Sequence, residues 1–164
     1  MILNSKTFDL PGIRDVHKLI LQRFNKSRYL PNLLTLRNEI IELDSPLITS
    51  VEVIRLIKDW KNNKREIGST CLLRKCPHLN LWNFDKQVVV EVVETMGGLN
   101  VDKIELGEGL PRGLTALAIP VPSSPGSELL LMGYKTDDYP YDLSIQLVSV
   151  PRGSYRHFNC NNPE

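Results

Sequence analysis

Long apolar runs are missing from this sequence. No uninterrupted apolar stretch approaches the roughly 20 residues that a bilayer-spanning helix needs, so no such crossing is expected. Met1 to Leu10 carries Lys6 and Asp9 and has no sustained apolar run ending in small residues, so it does not read as a secretory signal. Cysteine is scarce and odd in number: Cys71, Cys76 and Cys160 argue against a secreted disulfide scaffold and for reduced thiols or metal ligands. A large excess of one charge is also absent, since 20 Lys and Arg face 19 Asp and Glu. With 41% hydrophobic and 24% charged residues, collagen-like, low-complexity and wholly disordered chains are excluded. These absences lead us to expect an intracellular protein, cytoplasmic or nuclear.

The 164 residues suffice for one domain, 1–164, with its own core. A domain of roughly 150 residues buries about 68–70% of its unfolded surface and needs neither disulfides nor a structural metal. The near-neutral total hides a division. Met1 to Lys86 holds 15 cationic and 9 acidic side chains, +6, while Gln87 to Glu164 holds 5 and 10, −5, which together give the net +1. Such a split suits a basic surface that meets an acidic partner, or association of one copy's basic part with another's acidic part. Two solvated faces explain the same counts.

The first half, about 11–66, reads as helical. Ile13, Val16, Ile20 and Phe24 recur at spacings of three and four, and predict a helix between Pro11 and Leu30. Leu33, Leu36 and Ile40, with Leu34 and Ile41 beside them, predict a second from about Asn32 to Leu43. A third follows Pro46: Val51, Ile54, Ile57 and Trp60 form an apolar row, and Thr49 with Glu52 has the spacing of a capping box. Lys58, Lys61, Lys64 and Arg65 load its C-terminal end, where cations favour the helix dipole.

After Gly68 the chain, over about 70–158, becomes mainly strand-like. Cys71 to Leu73 is short and apolar. Gln87 to Thr95 holds five valines and reads as a strand by propensity, with a helix capped at Asp85 and ended by Gly97 and Gly98 as the alternative. Further strands are expected at Lys103 to Leu106, Leu114 to Val121, Glu128 to Tyr134 and Asp142 to Val150, joined by loops at Pro122 to Gly126 and Lys135 to Tyr141. Hairpins or a meander suit these spacings better than parallel units. The expected fold is α+β, with N-terminal helices packed on a mainly antiparallel C-terminal β-sheet.

Candidate chemistry is thin. Cys76 and His78 with His157 and Cys160 supply the four N and S ligands of a tetrahedral zinc site, although one residue alone separates the first pair. Isolated buried thiols explain the same residues. Cys71 or Cys76 with His157 is a nucleophile and base only on paper, because no local motif supports it. Gly107, Gly109 and Gly113 form a glycine-rich turn that Pro111 interrupts and no Lys-Ser pair follows, so a phosphate loop is not expected. Asp137, Asp138 and Asp142 lack the spacing of a calcium loop.

Two short resemblances stand beside these residues. Val53 to Lys61, VIRLIKDWK, resembles a helix of oligoadenylate-synthetase-like nucleotidyltransferases, but the Gly-Ser and paired aspartates of those enzymes are absent and the likeness is set aside. Tyr139, Pro140 and Leu143, in the run YPYDL, are similar to the YPxxL late-domain motif with which several viral structural proteins recruit host budding machinery. Asp138 stands where that motif usually has leucine. A proline-aromatic turn explains the same letters.

The candidate partner- or nucleic-acid-binding side chains are Arg14, Lys18, Arg23 and Lys26, then Lys58, Lys61, Lys64, Arg65, Arg74 and Lys75. Clustered cations contact phosphates, and exposed aromatics such as Trp82 or Tyr29 stack on single-stranded bases, while Trp60 completes an apolar row and belongs in the core. The same cations suit anionic membrane headgroups. The reading that these features favour is a non-enzymatic binding or assembly module, of the kind seen in viral matrix-like or accessory proteins, whose partner is another protein or itself. The alternatives are a small zinc-supported protein or enzyme and an RNA-binding protein. No cofactor other than zinc is suggested.

Overall fold

The computed structural model describes residues 11–14, 16–21, 34–44, 46–101, 113–135 and 142–153. Within them, α1 (Pro11–Arg14), β1 (Lys18–Leu21), β2 (Ile40–Asp44), α2 (Ser50–Asn62) and β3 (Thr70–Cys76) come first. Then α3 (Leu81–Asn83), a π-helical stretch (Phe84–Val89) and α4 (Val90–Met96) follow one another without a break. The chain continues through β4 (Leu99–Asn100), β5 (Thr115–Pro120), β6 (Ser127–Lys135) and β7 (Leu143–Pro151).

Among the described residues the strands form one mixed seven-stranded sheet in the order β1-β2-β3-β7-β6-β5-β4. Strands β1, β2 and β3 run parallel to one another, and the remaining neighbours are antiparallel. The fold is α+β, and its strands β5, β6 and β7 fall close to the expected positions. The parallel half differs from the expectation. The predicted helix over 11–30 is helical only at Pro11–Arg14 and becomes strand β1, while residues 22–30 lie outside the described part. The three-and-four row is not the buried one: strand alternation buries Leu19 and Leu21 and leaves Val16 and Ile20, which belong to that row, exposed. The predicted helix over 32–43 yields β2, whose Ile40 and Ile41 are both buried. A parallel strand covered on both faces shows no alternation for sequence reading to catch.

The helix α2 forms as expected. Glu52 N–H donates to Thr49 Oγ1 at 3.3 Å and Thr49 N–H donates to Glu52 Oε2 at 2.8 Å, satisfying two amides that a helix start leaves open. Its buried row is Val53, Leu56, Ile57 and Trp60, so Val51 points to solvent.

The valine-rich segment is helix, correcting the strand expectation. Asn80, not Asp85, caps it through a 2.8 Å bond from Asn83 N–H to its side-chain oxygen. Gly97 ends it in the left-handed conformation that glycine adopts without strain. Packing overrides propensity here: Phe84, Val88, Val92 and Met96 recur every four residues and are all buried. A four-residue repeat suits the wider π-helical turn. These side chains join α2 and the sheet residues Leu19, Leu43, Leu73, Leu131 and Leu147 in one apolar cluster. A second cluster, including Leu130, Met132, Tyr134 and Val148, occupies the opposite sheet face. Among the described residues no helix is long and apolar enough to cross a membrane.

Candidate interaction surface on the helical layer

The buried row of the second helix defines its outer face. Trp82, Lys86, Val90 and Glu94 each stand two positions from Phe84, Val88, Val92 and Met96 and are exposed. Two residues are about half a turn of an α- or π-helix, so the two rows lie on opposite sides. Trp82 is 66% exposed, Val93 is open beside Val90, and Leu99, just past the helix end, is 71% exposed. Exposed apolar side chains scattered singly are ordinary, whereas large contiguous apolar patches are associated with interaction sites.

Cross-links hold this layer rigid. Lys58 Nζ of α2 donates to Glu91 Oε1 of α4 at 3.1 Å, and Lys61 Nζ donates to the Met96 carbonyl, also at 3.1 Å. The Lys58 bond, then one from Thr95 Oγ1, holds the Glu91 carboxyl below its ordinary range. Lys61 thus occupies a helix C-terminus, where a cation is favoured.

The predicted cations do not form one patch. Lys58 and Lys61 are engaged as above. Arg65 is buried: Nη1 donates to the Leu36 carbonyl at 2.8 Å, Nη2 lies 3.7 Å from Asp59, and the guanidinium sits over Trp60. Arg74 Nε donates to Glu42 Oε1 at 2.6 Å, and Lys18 lies 3.7 Å from the same carboxylate, on the sheet face away from the helices. Lys75 is 3.9 Å from Asp44 and holds a left-handed φ of 53° at a bulge in β3. Lys64 borders a cleft of about 330 Å³ with Ile67, Ser124 and Ser127. Arg23, Lys26 and the side chain of Arg14 lie outside the described residues.

Cys76 is buried, its Sγ donating to the Leu73 carbonyl at 3.7 Å, while His78 is exposed. His157 and Cys160 lie outside the described residues, and among those described no group of three or more His, Cys, Asp or Glu gathers as for a metal. Burial raises the Cys71 and Cys76 thiols to about 12, so neither is a ready thiolate. Tyr139 and Pro140 also fall outside, as do residues 103–106, 107–112 and 136–141. Leu143 is fully buried in β7 between Cys76 and Lys135. Sequence reasoning named Trp82 only as a base-stacking candidate and missed Lys86, Val90, Val93, Glu94 and Leu99. The four-residue repeat of the buried row was the signal, once the segment is read as helix.

Comparison of the chain with protein-family models, with curated proteins and with solved structures finds no match.

Proposed function

We propose that this protein is a non-enzymatic binding and assembly module whose recognition surface is the outer face of the 81–96 helix with the adjoining α2. The observation that carries this reading is the exposure of Trp82, Val90 and Val93 along one helical segment that two hydrogen bonds tie to α2. Aromatic residues supply much of the contact energy in protein interfaces, and tryptophan is enriched there because its ring is apolar while its N–H keeps a polar partner. The surface suits a protein partner better than a nucleic acid. Lys58, Arg65, Arg74 and Lys75, which a phosphate backbone would need, face carboxylates of this chain.

A photo-crosslinking residue placed at Val93 tests the reading in cells that express the protein. The expected result is a discrete protein adduct from Val93 and none from a control position at exposed Glu66. Equal, diffuse labelling from both positions would remove the basis for the proposal.

A further inference from the structure

The outer row of the 81–96 helix has a pattern that fits a second copy of itself. Val90 is at its centre. Lys86 lies four residues before Val90 and Glu94 four residues after it. Trp82 stands eight before, and exposed Leu99 nine after. The helical row therefore reads aromatic, cation, valine, anion, with opposite charges equidistant from the middle, and Leu99 follows in β4 past the helix end. Among the described residues neither Lys86 nor Glu94 takes part in an ion pair.

A two-fold contact places the same patch of both subunits face to face, so each residue must complement the one related to it through the axis. We infer that two copies of this chain associate by antiparallel packing of their 81–96 helices, with the axis near Val90. In that arrangement Lys86 of each copy meets Glu94 of the other, Trp82 covers the other's Leu99, and Val90 with Val93 forms the centre. A partner of unrelated sequence has no reason to match a pattern that is its own reverse complement in charge. The net charge of +1 sets no electrostatic barrier between copies. A contact of one helix per subunit belongs to the small, weak class of interfaces, so the association is expected at micromolar concentrations.

This inference rests on the proposed binding surface and specifies its occupant. Sedimentation of the whole chain at low salt, over a range of concentrations, tests it with three variants. Lys86→Glu alone and Glu94→Lys alone each set like charges together twice, and each is expected to weaken the dimer by about tenfold or more. The chain carrying both changes restores opposite charges and is expected to recover association, as is an equimolar mixture of the two single variants. Both positions changed are exposed, and circular dichroism of each variant verifies that it folds. A wild-type chain that stays monomeric, or a dimer indifferent to these charges, overturns the inference. The first outcome combined with a Val93 adduct to a different protein leaves the binding reading standing, whereas absence of any Val93 adduct removes both.

Discussion

The guanidinium of Arg65 lies 4.4 Å from the centroid of the Trp60 ring, with both side chains almost wholly buried. Nη1 donates to the Leu36 carbonyl, so a cation just past α2 fastens that helix to the segment leading into β2. Arginine suits this position because its planar head stacks on an indole while still donating at its edge. Burial, the largest effect, and Arg37 pull its pKa below the ordinary 12.5, while Asp59 opposes them. Arg65→Ala should therefore lower stability by about 3 kcal/mol, because it vacates the indole face and leaves half-buried Asp59 without its counter-charge. Arg65→Lys keeps the charge but not the stacking and should recover only part of the loss. Urea unfolding of the three chains measures this, and an Arg65→Ala midpoint equal to wild type would show the contact to be neutral.

Gly133 and Phe84 are matched in a similar way. A Cβ on Gly133 would sit 2.5 Å from the Phe84 ring, which packs onto that strand from the helical layer. Gly133→Ala should cost about 1–3 kcal/mol through overpacking. In a Phe84→Leu background the penalty of Gly133→Ala should shrink, a non-additivity that a double-mutant cycle detects. Simple addition of the two losses would place the strain elsewhere.

Gln146 is fully buried in β7, with Leu72 and Met132 opposite it in register, and neither amide atom has a hydrogen-bond partner among the described residues. Leaving such a group unpaired costs about 1–3 kcal/mol, whereas an apolar side chain of similar volume does not incur it. Gln146→Met should raise the urea midpoint. A lower midpoint would mean that the amide earns its place through a contact made in solution.

The two described thiols give a pH dependence with a definite sign. Both are raised from the ordinary 9.0 to about 12 by burial, with Cys71 and Asp142 adding to the effect at Cys76 and the Arg65 charge opposing it at Cys71. The unfolded chain ionises these groups near pH 9 while the folded chain keeps its protons, so the folded state binds more protons between those limits. The stability contribution is therefore fully present below about pH 9 and declines toward pH 12, by about 1.4 kcal/mol per pH unit for each thiol. In a Cys160→Ser chain, a thiol reagent at mildly alkaline pH should react only as the protein unfolds. Two fast-reacting thiols in the native chain would contradict the burial.

Legibility followed how far each signal was local. The capping box of Thr49 and Glu52 needs only its own four residues, and the alternation of Leu143, Ile145 and Leu147 records one face of an antiparallel strand. Strand β2 was opaque because Ile40 and Ile41 are buried on opposite faces, so a continuous apolar run resembled part of a helical row. The five valines favoured a strand until Phe84 and Met96, at either end of the buried row, are seen to pack in one cluster with Val88 and Val92. Arg65 carried no sign of its burial, since at a helix end a solvated and a stacked arginine look alike in sequence. The candidate surface was half legible: Trp82 stood out by type, but the row it belongs to depends on the helix.

Trp60 and Trp82 are the only tryptophans, one buried and one open, and they make the central claim directly measurable. Fluorine NMR of the fluorotryptophan-labelled chain, recorded from low micromolar concentration upward, follows both at once. The account predicts that the Trp82 resonance shifts and loses its sensitivity to heavy water as concentration rises, while Trp60 stays fixed. A Trp82 resonance that remains solvent-sensitive throughout, while the protein associates through some other surface or not at all, would contradict it.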